Sequence, residues 1–487
     1  MPSRVGLSGT AEVPDWPWSA LGCTDMAGIL GSVQRAAPDG ETITGLTRVE
    51  AELRTRWPES RLSPTLVRMA ALADALGSPQ QAFPIIQITG TNGKTSTARM
   101  IDSLLRSFGL RVGRFTSPHL SSVTERIVID GGPISEERFV EVYDEIAPFV
   151  ALVDATQDLP LSYFEVLTGI GLAAFADAPI DVAVLEVGMG GSWDTTNVAD
   201  ARVAVVTGIA LDHTNYLGPD VATIAAEKAG IIKAEATAVL AAQDPAAAEV
   251  LLRRVVEVEA TVAREGAEFG IVDRTIAVGG QVLSLQGLGG RYDEIYLSLH
   301  GEHQAHNAVL ALAAVEAFFG AGAASGPLDI EAIRAGFAAV TSPGRLETVG
   351  SAPTVLIDAA HNPSGMAATV TALEEAFDFT RLIGVMACLS DKDVRGILEI
   401  AETVLHEIVV TQNSSPRGMA ADELAAIAVP IFGADRVVVV GDLPTAIETA
   451  VELAETDAEI LSGVGVLITG SVVTAGEARA LLVGRNA

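Results

Sequence analysis

Short apolar runs alternate with helical patterns along most of the chain. The run PIIQI at residues 84–88 is followed by a segment in which apolar side chains recur every three or four positions from Ile101 to Phe108, before Gly109. Further apolar runs follow at 111–115, 181–187 and 202–207. Near-continuous apolar strands separated by helices predict a mostly parallel sheet with helices on both faces.

A second alternation of the same kind begins after the segment TSPGRLE at residues 341–347. The runs TVLID, LIGVMA, EIVVT, RVVVV and GVLIT predict a smaller, Rossmann-like α/β domain. Between the two alternations, residues 261–300 contain short alternating runs near paired glycines, which indicates an antiparallel patch. The fold class is therefore α/β, with a P-loop-type N-terminal domain and a smaller C-terminal domain.

The beginning of the chain has a different character. Residues 46–78 predict two short helices, interrupted between Pro58 and Pro64. The preceding residues are rich in Gly, Pro, Ser and Ala and have no clear period. We therefore divide the chain into a loose extension, a central α/β domain and a C-terminal α/β domain, at residues 1–45, 46–342 and 343–487.

The composition of the chain limits the classes of molecule that it is expected to bind. The 487 residues include 62 acidic and 31 basic side chains, a net charge of −31, which repels nucleic acid and anionic lipid. The most apolar long window, 166–190, is broken by charges and a proline, which argues against a membrane span. Cys23 and Cys388 have no metal or redox spacing, which favours a reducing cytoplasmic setting. We expect a monomer that binds neither nucleic acid nor membranes.

The sequence IQITGTNGKTS at residues 86–96 resembles a phosphate-binding loop but departs from G-x-x-x-x-G-K-[ST], because Ile88 stands where that pattern has glycine. Lysine is scarce, with four residues against 27 arginines, yet Lys94 directly follows Gly93. Small residues let backbone N–H groups converge on a phosphate at the start of a helix. The candidate nucleotide-binding residues are Gly90, Thr91, Asn92, Gly93, Lys94, Thr95 and Ser96. A capped helix after a tight turn remains the alternative.

Polar residues gather where the predicted parallel strands end. Ser117 and His119 follow the second strand, Glu186 ends the third, and Asp212 and His213 follow the fourth. Ligands of open parallel sheets bind beyond the carboxyl ends of the strands. These residues are therefore expected to share one site with the loop.

Motifs in a fixed order carry a resemblance to a known family. After GTNGKTS come TSPHL, ERIVIDG, SYFEVLT, EVGMGG…DTTN, LDHTNYLG, EKAGIIK, HQAHN, PGRLE and DAAHNP. The loop resembles the compact phosphate loop of the Mur ligase superfamily. Together the motifs resemble folylpolyglutamate synthase, in the form that many bacteria combine with dihydrofolate synthase, over roughly residues 46 to 480.

The resemblance implies an ATP-dependent ligase that adds L-glutamate to dihydropteroate, to reduced folates or to both, through an acyl phosphate. Lys94 would hold the phosphates, and Ser117, Glu186 and His213 would bind Mg²⁺. An imidazole that only holds a loop is the alternative for His213. The family match further implies that Lys228 is carbamylated, whereas a solvent-facing lysine at a helix end is its alternative.

The resemblance also assigns residues in the second half of the chain. Asn307 and Arg345 would hold adenine and phosphate, and Asp358 would contact the nucleotide. His361 would lie near the reacting groups, although DAAHNPSG could also simply cap a helix. Arg345, at the linker between the domains, would couple domain closure to catalysis.

Substrate contacts are the least specified part of the resemblance. Phe164 and the loop from Asp194 to Asn197 resemble pterin-side contacts, and Arg417 is a candidate anchor for a glutamate carboxylate. The family often has arginine after the paired glycines of GMGG, where this chain has Ser192. This departure affects inferences about substrate handling more than those about ATP.

Three other interpretations were weighed. A peptidoglycan-type Mur ligase usually carries a nucleotide-sugar domain before the loop, and here 89 residues precede Gly90. A nucleotide-dependent switch is disfavoured because the chain has no Asn-Lys-x-Asp guanine motif. A zinc site at His300, His303 and His306 is disfavoured because these residues have no cysteine or carboxylate cluster beside them except Glu302.

Overall fold

The computed structural model describes residues 44–58, 63–322, 325–456 and 463–483. The predicted loose extension at residues 1–45 lies almost wholly outside the described residues, as does Cys23, whereas Cys388 is buried as a free thiol. Among the helices described, none combines the length and the apolar character that crossing a bilayer would require.

The helices and strands follow the predicted alternation closely. The helices are α1 Gly45–Arg54, α2 Val67–Ala75, α3 Lys94–Ser107, α4 Glu136–Thr156, α5 Tyr163–Asp177, α6 Thr214–Leu217, α7 Val221–Lys228, α8 Pro245–Glu257, α9 Glu302–Phe319, α10 Ile330–Ala338, α11 Pro363–Ala376, α12 Val394–Ala401, α13 Ala421–Phe432, α14 Leu443–Glu455 and α15 Val472–Leu482. The strands are β1 Ile85–Thr89, β2 Val112–Phe115, β3 Ile127–Ile129, β4 Gly132–Pro133, β5 Val182–Glu186, β6 Val203–Val206, β7 Thr237–Leu240, β8 Thr261–Arg264, β9 Gly270–Ala277, β10 Gly280–Gln286, β11 Arg291–Leu297, β12 Glu347–Ser351, β13 Thr354–Ile357, β14 Arg381–Met386, β15 Glu407–Val410, β16 Val437–Val439 and β17 Val464–Thr469.

The first sheet has, among the described residues, eight strands in the order β4-β3-β2-β5-β1-β6-β7-β8. The strands from β2 to β8 in this order run parallel, and β3 and β4 add an antiparallel edge. Alternate side chains of β1 serve two cores, because Ile86 and Ile88 pack with α3 and α9, whereas Ile85 packs with α4 and α5. Helices therefore cover both faces, as the apolar runs predict.

The strand register brings the predicted site together. Ile88 in β1 lies opposite Glu186 at the end of β5, and Thr89 lies opposite Val206 at the end of β6. The chain then turns at Gly93 into α3, whose apolar side packs against α9 and α10. The phosphate-type loop, Glu186 and the loop after β6 therefore share one edge of the sheet.

The antiparallel patch forms, with one difference from the prediction. Strands β9, β10 and β11 form a three-stranded antiparallel sheet, but residues 261–264 form β8, which joins the first sheet parallel to β7. A buried carboxylate attaches this small sheet to α9, because Glu316 accepts hydrogen bonds from Tyr292 Oη at 2.8 Å and from the Gly289 N–H at 3.0 Å.

The second sheet has, in the part of the chain described, the strand order β12-β13-β17-β14-β15-β16. The strands from β13 to β16 in this order are parallel, and β12 is an antiparallel edge. The predicted linker TSPGRLE lies between α10 and β12, although its last residue, Glu347, already belongs to β12. The fold class is confirmed as α/β with two sheets, whereas the domain boundaries remain a prediction.

Candidate active site

A cleft of about 860 Å³ lies between the two sheets, at the carboxyl edge of the first. Its walls come from the phosphate-type loop, the ends of β2 and β5, the loop after β6, helix α9 and the first turns after β13. The cleft brings together all the site residues predicted from the sequence, which are Gly90, Thr91, Asn92, Gly93, Lys94, Thr95, Ser96, Ser117, Phe164, Glu186, Asp194, His213, Lys228, Asn307, Arg345, Asp358, His361 and Arg417.

The two glycines of the loop are required by close packing. Gly90 has a φ of +145°, and a Cβ there would lie 1.7 Å from Thr207 Oγ1. Gly93 has a φ of +84°, and its Cβ would lie 2.4 Å from Asn307 Oδ1. Positive φ is accessible to glycine without steric cost, so both positions hold the compact turn that starts α3.

The loop is also fixed to the segment after β6. The Thr91 N–H donates to Gly208 O at 3.0 Å, and Thr91 Oγ1 bonds to the backbone of Ala210. Thr207 Oγ1 donates to Asn92 O at 2.7 Å. The loop is therefore held in one conformation by protein contacts, which suits a preformed phosphate site.

Two lysines meet at one carbonyl oxygen of the loop. Lys94 Nζ donates to Gly90 O and Thr91 O, both at 3.0 Å, and Lys228 Nζ donates to the same Gly90 O at 2.8 Å. Burial is the main cause that lowers the pKa of Lys94, and burial with the charge of Lys94 lowers the pKa of Lys228 to about 7. Lys228 is 4% exposed, so the alternative of a solvent-facing lysine is wrong.

Glu186 lies beside this cationic group at the end of β5. Its carboxylate accepts hydrogen bonds from Thr95 Oγ1 at 2.8 Å and from the Ser117 N–H at 3.3 Å. Burial raises the pKa of Glu186, although the charge of Lys94 opposes this. A buried carboxylate beside two hydroxyl residues supplies oxygen ligands of the kind that Mg²⁺ prefers, so the residues fit such an ion.

The loop after β6 contributes a second charged cluster. Asp212 Oδ1 accepts from Lys392 Nζ at 2.7 Å, and Asp212 Oδ2 lies 3.7 Å from His361 Nε2 and 3.9 Å from His213 Nε2. Burial would raise the pKa of Asp212, but His213 and Lys392 outweigh it and hold that pKa well below its usual range. Burial lowers the pKa values of His213 and His361 to about 4, so both rings are neutral at neutral pH.

His361 has a defined tautomer. Its Nδ1 lies 3.0 Å from Ala359 O, and a carbonyl oxygen can only accept, so Nδ1 carries the proton. The neutral ring then has its lone pair on Nε2, which lies 3.7 Å from Asp212 Oδ2, and His361 lines the cleft. The alternative in which His361 only caps a helix is wrong, because Asn362 is the N-cap residue of α11.

The linker and the second sheet are joined at Asp358. Asp358 Oδ2 accepts from the Leu346 N–H at 3.0 Å, and Oδ1 accepts from the Ala360 N–H and Thr369 Oγ1 at 2.9 Å. Asp358 is thus fully bonded within the protein and fixes the backbone beside Arg345. The charge of Arg345 reaches Glu186, where it acts to lower that carboxyl's pKa.

The other predicted contacts line the outer parts of the cleft. Phe164 packs 6.0 Å from Phe115 between ring centroids. Asp194 is buried, and its carboxylate accepts from Thr196 N and Met189 N, so it shapes its own loop. Arg417, which is half-exposed, donates to Asp391 at 3.1 Å.

Ser192 and two of the three histidines of the zinc alternative have structural contacts. Ser192 bonds through N and Oγ to Glu227 O at 3.0 Å, next to Lys228, and so ties its loop to the end of α7. His306 pairs with Glu265, and the His300 ring lies 5.1 Å from that of Phe377.

Two residues of the site were not predicted from the sequence. Lys392 forms the ion pair with Asp212, and Asn362 donates to the same carboxylate at 3.1 Å. The scarcity of lysine was a signal for Lys392, since three of the four lysines line the cleft. Asn362 lies within the motif DAAHNP, but nothing local distinguishes it from a helix cap.

Comparison with known families matches both halves of this arrangement. Residues 164–315 match the Mur ligase middle domain, and residues 344–472 match the glutamate ligase domain of Mur ligases. The chain is 55% identical over 471 residues to the dihydrofolate synthase/folylpolyglutamate synthase of Mycobacterium tuberculosis, covering 93% of this chain and 96% of the relative. It is 34% identical over 362 residues to the Escherichia coli protein of that name, covering 74% of this chain and 80% of the relative.

Solved structures agree in fold. The Mycobacterium tuberculosis folylpolyglutamate synthase complexed with ADP has a TM-score of 0.86 at 55% identity and covers 90% of this chain and 98% of its own. E. coli FolC in complex with DHPP and ADP has a TM-score of 0.78 at 30% identity, and the match covers 91% of this chain and 99% of that one.

The two sheets, the compact loop and the cleft between them define a Mur-type ligase. Within that class, the chain belongs to the dihydrofolate synthase/folylpolyglutamate synthase family. The predicted family and enzyme class are therefore confirmed. The roles assigned to individual residues remain predictions.

The buried Lys228 provides a pH test. In protein labelled with ¹³C at lysine Cε and kept free of dissolved carbon dioxide, so that the Lys228 amine is unmodified, we expect four signals, one of which titrates with a midpoint near 7 and disappears in Lys228→Met. Its amine should lose the proton as pH rises through that value, whereas an ordinary lysine does so at about 10.4. A Lys228 signal that titrates at the ordinary value would contradict the burial argument. Lys233→Met serves as the matched control for assignment.

Proposed function

We propose that this chain joins L-glutamate to dihydropteroate, to reduced folates, or to both, and uses ATP to activate the acceptor carboxylate. The observation that carries this proposal is the convergence of the phosphate-type loop, Glu186 and His361 on one cleft between two sheets. A free carboxylate is a poor electrophile, so phosphorylation to an acyl phosphate must precede attack by the amino group of glutamate.

The loop and Lys94 are proposed to hold the phosphates of ATP. The N-terminus of α3 adds the positive end of its dipole to the Lys94 ammonium. In a protein of net charge −31, this local positive charge is what allows an anionic nucleotide to bind. Asn307 packs against Gly93, and Arg345 lies at the linker, so both are proposed to position the nucleotide.

Ser117, Glu186 and His213 are the residues proposed to hold Mg²⁺. The fit rests on the buried Glu186 carboxylate and on the neutral state of His213, because a protonated imidazole cannot act as a ligand. When bound, the ion would neutralise charge that develops on the transferred phosphoryl group.

Lys228 is proposed to be carbamylated. Carbamylation requires a neutral amine, and a pKa of about 7 makes much of the Lys228 amine neutral at physiological pH. The product is an anion, which would replace the unfavourable approach of two ammonium groups at Gly90 O by an attraction between Lys228 and Lys94.

The acceptor and glutamate are proposed to bind on opposite sides of the phosphates. Phe164 and Asp194 line the outer wall toward the first sheet, where the pterin-type acceptor would lie. His361 is neutral and lines the cleft, so its Nε2 can accept a hydrogen bond from the incoming amino group. Arg417 is the candidate partner for a glutamate carboxylate.

We further propose a monomeric cytoplasmic enzyme that does not bind nucleic acid. The strongly acidic net charge supports the exclusion of nucleic acid. Residues 46–342 and 343–487 are proposed as its two domains, since the cleft lies between their sheets.

The reaction can be tested by its substrate dependence. Purified protein should release phosphate from ATP when a pteroate-type acid and glutamate are both present, because the acyl phosphate forms on the acid and turns over by amine attack. Phosphate release is measured with dihydropteroate and tetrahydrofolate as alternative acceptors, and each substrate is omitted in turn. Sustained release without an acid, or none with both substrates, would contradict the proposal.

Lys94→Ala should reduce turnover at least about a thousandfold, because it removes a charge from a phosphoryl-transfer site. Far-ultraviolet circular dichroism and thermal unfolding would check that the fold is kept. Lys233→Ala is the matched control, since Lys233 binds the carbonyls of Asn197 and Ala199 and does not line the cleft. Turnover of Lys94→Ala near that of the unmodified chain would refute the role of Lys94.

The carbamate can be observed directly. In buffer containing ¹³C-bicarbonate, the protein should give a carbamate carbon signal that Lys228→Met lacks. Removal of dissolved carbon dioxide should lower turnover, and its return should restore it. A spectrum identical for the unmodified protein and Lys228→Met would exclude the modification.

A further inference from the structure

Asn362 joins two loops of the first sheet to the second sheet. Its Nδ2 donates to Asn92 Oδ1 at 3.0 Å and to Asp212 Oδ2 at 3.1 Å. Asn92 Nδ2 donates in return to Asn362 Oδ1 at 3.3 Å and to Ser364 Oγ at 2.7 Å. Asn362 itself is 3% exposed, so it is buried where the two sheets meet.

The orientation of the Asn362 amide is determined by its neighbours. Its Oδ1 accepts from the Gly365 N–H at 2.7 Å, which caps α11. A flipped amide would direct its NH₂ group at this N–H donor and would lose the bond to the Asp212 carboxylate. One side chain therefore caps its own helix through oxygen and bridges the first sheet through nitrogen.

Both partners of the bridge line the cleft beside residues that are proposed to bind the nucleotide or Mg²⁺. Asn92 lies inside the phosphate-type loop, directly before Gly93 and Lys94. Asp212 precedes His213 and is held from the other side by Lys392. Since Asn362 directly precedes α11 of the second sheet, any separation of the two sheets must break these bonds or move these two loops.

We propose that Asn362 is a positioning residue that transmits closure of the two sheets to the phosphate loop, through its paired amide bonds with Asn92 and its bond to Asp212. This inference rests on the proposed function for its kinetic readout. In the closed cleft the bridge holds Asn92 and Asp212 together. Without it, the second sheet closes without fixing the phosphate loop, so a bound nucleotide is positioned less often for transfer.

The N-cap role can be separated from the bridge. Asn362→Ser keeps a good N-cap, because serine caps helices about as well as asparagine, but it removes the NH₂ group. Asp442 offers a control, since its side chain caps α14 of the same sheet, whose first turn also contains a proline, and it lies outside the cleft. Asp442→Ala therefore removes a helix cap but leaves the bridge between the two sheets intact.

The experiment is a double-mutant cycle on Asn92→Ala and Asn362→Ser. We expect Asn362→Ser to lower kcat about tenfold, the size of effect expected from losing organising hydrogen bonds, with a melting temperature near that of the unmodified chain. Because both substitutions remove the same contact, the double variant should be no slower than the slower single variant. Asp442→Ala should lower the melting temperature and leave kcat unchanged.

A second readout does not depend on ligase turnover. The rise in melting temperature caused by ADP should be smaller in Asn362→Ser than in the unmodified chain. In the double variant this rise should be no smaller than in the more affected single variant, so the two effects should again be non-additive. Absence of turnover in the unmodified chain would count against the proposed function, and the ADP cycle would still test the bridge. The inference would be overturned if the fold-losses in kcat of the two single variants multiplied in the double variant. An Asn362→Ser variant with unchanged kcat and an unchanged response to ADP would also overturn it.

Discussion

The structure depends on one crowded interaction, in which two lysine ammonium groups donate to the carbonyl oxygen of Gly90. Two buried cations so close together repel each other, and burial already disfavours the charged form of each. The protein holds them there because the loop, the end of β5 and the end of α7 are all fixed around that carbonyl. An anion bound at the loop would offset the repulsion between the two ammonium groups. In a strongly acidic protein, this local positive charge is the basis on which we propose that the loop binds a nucleotide.

The sequence predicted the architecture well because parallel strands buried on both faces leave an unambiguous apolar pattern. The runs at β1, β5, β6, β13 and β17 were all located within one or two residues. The difference at β8 has a physical reason: a short, partly exposed strand has the same alternation whether it joins an antiparallel hairpin or the edge of a parallel sheet. The local alternation of exposed and buried residues does not indicate which strand β8 will pair with.

The site was predicted unevenly for a similar reason. Glycine and lysine in a strand-to-helix turn indicate a phosphate-binding loop from the local sequence alone. The positions of Glu186 and Asp212 at strand ends predicted that they would lie in the same site as this loop. Lys392 and Asn362 acquire their roles from residues 180 and 150 positions away. Such contacts depend on how the two sheets meet, which no periodicity describes. The bonds from Asp358 to the Leu346 and Ala360 N–H groups show the same limit, since the sequence pattern does not indicate that this carboxylate also orders the backbone beside the linker.

The unusual distribution of lysine also has a practical consequence. Three of the four lysines line the cleft, and the fourth is occupied by backbone carbonyls nearby. Amine-directed coupling to a resin or sensor surface would therefore find few reactive side chains on the outside of the folded protein, and three of the four lysines it could modify line the candidate active site. Attachment through an added affinity tag would leave the molecule intact. A bound nucleotide would shield the same amines from such reagents.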